Sequence, residues 1–357
     1  MDSNQKSIRF SKLFNFKKIF MMMKRGILAV LILLFLFSGC AEKNKFDVDI
    51  DDIDVAIEVK RLDKELFELA PDGLEKQVPD LLKKYGEFLE LYSRNVISIG
   101  SPYSKAYPDY LAGFITDYTM FQVHEKVMEK FPDVDFIEDE LTHAFKYYTY
   151  YFPERIVPAV FTFQGGFNQS IVVADSILAI GTDKYLGPDV DFYDRLGISK
   201  YLQRNMVPEK IPTDAMKAWA MTEFVYNDSV DNLVNNMIYH GKLQYFLDAM
   251  FPFTDDSLKF GFTSNQLKWC QKNEKPMWDN LVEQKLLFST DYMTINNYIN
   301  PAPFTTGFPR QSPGRAVVWL GREIVQRYME RHPEISLKEL MLNDNYQKIL
   351  AESRYEP

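Results

Sequence analysis

Apolar residues along the chain change period, and each change marks a different kind of element. From Phe46 to Val59 they alternate with acids: Val48, Ile50, Ile53, Val55, Ile57 and Val59 stand among aspartates and Glu58. Period-two alternation predicts a strand with one solvated face. Across residues 61–152 the spacing becomes helical, first through Leu62, Leu66 and Leu69, then through Leu81, Leu82, Tyr85, Phe88, Leu89 and Tyr92. Asp135 to Phe152, with Ile137, Leu141, Phe145, Tyr148 and Tyr151 in register, predicts a further amphipathic helix.

At Ile156 the pattern shifts again. Val157 to Phe163 is strand-like, Gly165-Gly166 turns the chain, and the apolar runs Ser170–Ala174 and Ile177–Ile180 are separated by a tight turn at Asp175-Ser176. A small, largely hairpin-built sheet is expected, left through a loop from Gly181 to Pro188. Helices resume after Pro208 and Pro212. Thr213 and Asp214 are placed to cap one running to about Tyr226, and Asp228-Ser229 to cap the next, which carries Leu233, Met237, Ile238, Tyr245, Phe246 and Leu247. Beyond Pro252 helices are expected at about 263–289 and 312–332, the last with Ser312 as cap and Pro313 at its first position. The fold class is α+β, predominantly helical with a small central sheet, in one globular domain over residues 48–357.

One stretch fits neither period. Met23-Lys24-Arg25 precedes the unbroken apolar run Gly26 to Phe37, which ends in Ser38-Gly39-Cys40. A charged start, an apolar run and a small-residue exit describe a secretory signal. The run is shorter than the roughly 20 apolar residues a spanning helix needs. Ser-Gly-Cys resembles a bacterial lipobox, with Phe37 where leucine is commonest. Residues 1–39 therefore read as a signal peptide whose start lies among Met21, Met22 and Met23. Cys40 is the expected lipidation site, and residues 40–47 form a tether. Acyl chains on Cys40 would anchor the body to a membrane of the cell envelope, facing the periplasm. The alternative is an ordinary secretion signal that happens to end near a cysteine.

Charge narrows the partners. Seven of the 41 basic and one of the 50 acidic residues fall in 1–39, so the remainder holds 34 against 49, a net −15. That balance argues against nucleic acid as a partner. The cysteines are Cys40 and Cys270; with Cys40 acylated no intramolecular disulfide can form, and Cys270 beside Trp269 reads as a core residue. The aspartates at 47, 49, 51, 52 and 54 lack the calcium-loop spacing and read as a solvated face. His124 and His143, inside helices, lack metal-ligand spacing and read as structural or surface residues.

Candidate chemistry sits where the expected sheet gives way to two consecutive helices, at about 156–250. This is the order of a zinc metallopeptidase core, in which the first helix carries His-Glu-x-x-His and the second a third ligand. Here the first segment reads Thr222-Glu223-Phe224-Val225-Tyr226: the glutamate is kept and both ligand positions are replaced by poor donors. The second reads Tyr239-His240-Gly241-Lys242-Leu243-Gln244-Tyr245-Phe246. It resembles the Glu-Gly-Leu-Ala-Glu-Tyr-Phe segment of a family of predicted zinc peptidases, with His240 and Gln244 at the two acidic positions. Residual catalytic candidates are Glu223 and His240; no metal and no cofactor is expected. Neither a Gly-x-Ser-x-Gly elbow nor a Walker loop occurs. Ser312-Pro313-Gly314-Arg315 suggests anion binding at a helix start, or simply a cap followed by a surface arginine.

Taken together, Asp183-Lys184-Tyr185-Leu186-Gly187, Met237 to Lys242, Trp269-Cys270, Ser289-Thr290-Asp291, Ser312 to Arg315, and Trp319 with Gly321 and Tyr328 resemble the gliding motility lipoprotein B (GldB) family of Bacteroidetes. The resemblance implies a membrane-anchored, non-catalytic lipoprotein required for gliding motility, with partners in the motility and type IX secretion machinery. Two alternatives stay open: a divergent metal-dependent hydrolase of the envelope, and a module that binds envelope polymer or peptide.

Overall fold

The computed structural model describes residues 44–357; the signal peptide and Cys40 lie outside the described residues, as do 41–43 of the tether. Residues Asp49–Pro357 form one compact unit, separate from the segment that ends at Val48. Among the described residues no helix is long and apolar enough to cross a membrane.

The alternating segment does not become the expected strand. Only β1 (Val59–Arg61) pairs in the sheet. The alternation survives as burial: Ile57 and Val59 point inward while Asp54, Ala56 and Glu58 are exposed. The backbone N–H groups of Ile57 and Val59 donate to Thr142 Oγ1 at 2.9 Å and Glu138 Oε1 at 2.8 Å. Side chains of a helix thus do what a neighbouring strand would have done.

The expected helical block follows as α1 (Leu62–Glu68), α2 (Leu74–Tyr85), α3 (Glu87–Leu91), α4 (Tyr107–Ile115), α5 (Tyr118–Lys130) and α6 (Asp135–Tyr151), with a π-helical turn at Tyr92–Val96. The leucine and aromatic stripes are buried: Leu62, Leu66, Phe88, Leu89 and Tyr92 are each at most 1% exposed. They pack on one face of the sheet, where Phe88 stacks on Phe161 with 4.4 Å between ring centroids.

Three more strands complete the sheet: β2 (Ala159–Phe163), β3 (Ile171–Ala174) and β4 (Ile177–Gly181). Their order is β1-β2-β4-β3. The tight turn at Asp175-Ser176 does join an antiparallel pair, with Ala174 opposite Ile177. The sheet is otherwise not hairpin-built, because β4 inserts between β2 and β3 and runs parallel to β2, which runs parallel to β1. Burial gives the reason. All five β4 residues are buried, as a central strand requires, whereas β3 is half-exposed along its length and suits an edge.

The second half is helical: α7 (Asp191–Arg195), α8 (Lys200–Gln203), α9 (Ile211–Glu223), α10 (Leu233–Met250), α11 (Asp256–Phe260), α12 (Ser264–Lys272), α13 (Glu274–Glu283), α14 (Tyr292–Ile299), α15 (Ala316–Arg331), α16 (Leu337–Leu342) and α17 (Tyr346–Ser353). Several starts differ from expectation. The cap of α10 is Asn232, whose side chain accepts from Asn235 N. Helix α15 begins after Pro313, and its first N–H is taken by the distant Thr305 Oγ1 at 2.8 Å. Helix α9 packs across β3 and β4 and against α10.

Helices α10 and α15 cross through glycines. A Cβ on Gly241 would meet the Gly321 carbonyl at 2.3 Å, and one on Gly321 would meet Met237 O at 1.9 Å. No larger residue fits at either position. The buried Asp248 of α10 then accepts from Lys259 Nζ at 2.6 Å and Arg322 Nε at 3.0 Å, tying α11 and α15 to it. This crossing fixes the start of α15 relative to α9 and α10, which positions the site.

Candidate functional site

The enzyme-like segment does not form the helical face that a His-Glu-x-x-His motif needs. Helix α9 ends at Glu223, so Tyr226 lies beyond it and shares no helical turn with Thr222. Thr222 Oγ1 donates back to Trp219 O at 2.8 Å. The Tyr226 hydroxyl donates to Asp231 at 3.1 Å, and its ring stacks on Tyr346. Burial, with Asp231 beside it, raises the Tyr226 pKa further from the phenolate a metal would require.

Glu223 faces two donors. Its Oε2 is paired with Arg155 and accepts from the Tyr148 hydroxyl at 3.2 Å, while the Arg155 guanidinium lies 5.1 Å from the centre of the Phe224 ring. The carboxylate is therefore neutralised by a cation, with no free base beside it. His240 sits among a different set of charges. Burial, then Lys217 and Arg315, push its pKa down to about 3. Glu223 and His240 thus share no ionic neighbour, and the donors Thr222, Tyr226 and His240 do not fit zinc. Gln244 is fully buried, and both its amide atoms lack a hydrogen-bond partner among the described residues. Lys242 holds the end of α16, donating to Met341 O at 3.0 Å and Asn343 O at 2.7 Å. Among the described residues no group of three or more His, Cys, Asp or Glu is arranged to hold a metal.

The other residues singled out from sequence are structural. His143 is exposed, and His124 stacks on Phe67 at 4.6 Å. Cys270 is buried, and burial pushes its thiol up to about 12.

A different place gathers charge. A cavity of about 330 Å3 opens between the loop after β4, the α8 region and the start of α15. Lys184, Arg204, Lys210 and Arg315 line it against a single carboxylate, Asp214. Lys210 is 4% exposed; its Nζ donates to Thr213 Oγ1 at 2.8 Å and to Asp214 at 2.6 Å. The other Asp214 oxygen accepts from the Tyr185 hydroxyl at 3.2 Å. Arg204 donates to Gly261 O, and Arg315 to Phe260 O at 2.8 Å. Among the described residues Lys184, Arg204 and Arg315 form no ion pair. Lys217 stands behind the wall on α9, one turn beyond Asp214. Burial, then Arg315 and Lys210, lower its pKa well below the usual lysine value.

Arg315 is thus a cavity residue, held at φ 54°, and neither a surface arginine nor a helical one. Sequence reasoning passed over Arg204, Lys210 and Lys217. A signal was present for two of them. Lys210, just before α9, with Asp214 and Lys217 inside it, at i, i+4 and i+7, lay one charged stripe along a helix whose other charge is Glu223 at its end. Segments that carry the family resemblance meet here as well. Asp183 Oδ2 accepts the N–H groups of Gly165 at 3.0 Å and Phe167 at 2.8 Å, which presents Lys184 and Tyr185 to the cavity. Pro313, Gly314 and Arg315 form the facing wall.

Neither a curated protein nor a solved structure matches the chain. The family described as "Gliding motility protein GldB" does, over residues 43–357. With almost the whole sequence matched, in agreement with the segments that resembled it, the chain belongs to the gliding motility protein GldB family.

Proposed function

We propose that this chain serves gliding motility as a non-catalytic component or assembly factor of the motility and secretion apparatus, tethered to an envelope membrane by lipid on Cys40. The observation that carries the reading is the state of Glu223, held between Arg155 and Tyr148 at the end of its helix. A general base must face the proton it removes, within hydrogen-bond reach. The succession of a small sheet and two packed helices supports a metallopeptidase-like scaffold whose ligand positions have taken other work.

The test is complementation. In cells lacking the gene, Glu223→Gln and His240→Ala chains should restore spreading to the wild-type extent at equal protein level. Loss of spreading with normal accumulation would favour the hydrolase alternative, as would stoichiometric zinc that disappears on His240→Ala. Affinity capture after crosslinking should recover motility or secretion components with the wild-type chain. Cys40→Ala should weaken that recovery.

A further inference from the structure

Charge at the cavity is opposite to that of the protein around it. A chain with net charge −9 has gathered four cationic side chains and one carboxylate around about 330 Å3. Buried charges are ordinarily paired or hydrogen-bonded. Here only Lys210 is ion-paired; among the described residues Arg204, Arg315 and Lys184 form no ion pair. Asp214 and Asp183 attract Arg315 and Lys184 from farther away, and Lys184 Nζ donates to Phe167 O at 3.3 Å. Arg315 uses one N–H on Phe260 O, and Arg204 one on Gly261 O. The remaining donors on two planar forks match the oxygens of an oxyanion.

We propose that this cavity binds a small phosphate-bearing anion, gripped by Arg204, Arg315 and Lys184, with Lys210 and Asp214 setting the far wall. The class follows from charge, size and surface. A surplus of three positive charges on the lining is better matched by a phosphate dianion than by a single carboxylate. The volume is at the lower end of small-molecule sites. Tyr201, Phe262 and the proline rings at 301, 303 and 313 give an organic substituent an apolar surface. A polyanion is disfavoured by the acidic exterior. The proposal stands whether or not the protein is catalytic.

The phosphate could belong to a free ester or to a lipid headgroup, and the experiment separates these sources. Full-length protein in detergent is titrated calorimetrically with inorganic phosphate and with glycerol 3-phosphate at constant ionic strength. Thermal unfolding is followed in parallel, with chloride and acetate as controls. Saturable binding is expected, with an unfolding midpoint that climbs with phosphate concentration and not with chloride. Arg315→Gly should weaken it about tenfold. Glycine suits the backbone at φ 54°, so the fold is kept. Lys184→Gln should weaken binding severalfold. Tighter binding of glycerol 3-phosphate than of phosphate assigns a soluble ester. Capture by phosphatidylglycerol vesicles and not by phosphatidylcholine, lost on Arg315→Gly, assigns a headgroup. An absence of saturable phosphate binding, equal stabilisation by acetate, or affinity unchanged in both variants would overturn the proposal.

Discussion

Two polar regions lie at opposite ends of helix α9 and obey opposite rules. At its C-terminal end Glu223, Arg155 and Tyr148 close on one another, and the charges cancel. At its N-terminal end Lys210 and Asp214 pair, yet among the described residues Arg315, Arg204 and Lys184 form no ion pair around a cavity whose lining holds four cations and one carboxylate. The first region looks enzyme-like in sequence and is built as a clasp. The second attracted little notice in sequence and carries unsatisfied binding potential. Charge that is balanced holds a fold together, whereas charge that is unbalanced raises the energy of the empty protein and is tolerated where something else neutralises it. The two regions should therefore respond to charge removal with opposite signs.

The largest effect is expected at the clasp. Arg155→Ala would leave Glu223, whose side chain is 17% exposed, with the Tyr148 hydroxyl alone, and would strip the cation from the face of Phe224. A fully buried pair loses roughly 3–5 kcal/mol when one partner goes. With Arg155 itself 29% exposed, about 2–3 kcal/mol is expected in urea unfolding. The double variant Arg155→Ala/Glu223→Gln should recover part of that loss, because no charge is then left alone. A loss below about 0.5 kcal/mol, the ordinary size of a surface substitution, would mean the clasp is not one.

The same contrast explains what sequence could and could not disclose. Helical stripes such as Leu62, Leu66 and Phe88 were legible because burial repeats every turn, and the Asp175-Ser176 turn because hairpins are local. Parallel pairing of β2 with β4 left no local trace, since a parallel neighbour is defined by distant residues. Strand-like alternation before Val59 was real as a burial pattern, but its hydrogen-bond partners were Thr142 and Glu138 of a helix. The cavity was the least legible part. Its cations come from separated segments, the loop at Lys184, the turn at Arg204, the start of α9 and the start of α15. The Gly241–Gly321 crossing lays α15 closely against α10, and Thr305 Oγ1 holds the start of α15, next to Arg315.

A smaller effect should appear on the cationic side, as a pH dependence. His240 has its pKa lowered from 6.5 to about 3 by burial and by Lys217 and Arg315. Between those values the unfolded chain binds a proton that the folded chain refuses. Stability is then full above 6.5 and falls as the pH drops toward 3, by up to about 1.4 kcal/mol per unit. His240→Met removes this loss, so its stability relative to wild type should rise by about 2 kcal/mol between pH 7.5 and pH 5. Asp183, which burial pushes up to about 6, acts in the opposite direction: its contribution is present at acid pH and lost as the pH rises through that value. It is common to both chains and drops out of the difference. Parallel stability curves for the two proteins would mean that neither burial nor the neighbouring cations lower the His240 pKa.

The smallest expected change is the one with the reversed sign. Lys217 forms no hydrogen bond or ion pair among the described residues, and Arg315 and Lys210 oppose its charge. Folding must either bury that charge near others of its kind or strip its proton, and both are unfavourable. Lys217→Met keeps the length of the side chain and removes the amine, so it should stabilise the protein by about 1 kcal/mol. At the clasp, by contrast, no single charge deletion should stabilise. At pH values below the lowered pKa of Lys217, where its amine is charged, the same variant should also bind phosphate more weakly, because the field that favours an anion has been reduced. Thermal unfolding with and without phosphate reads both quantities on one sample. Stability gained together with affinity lost is the signature of charge kept for a ligand. Stability lost on Lys217→Met would make the cationic end of α9 a clasp like the other, and the distinction between the two regions would fail.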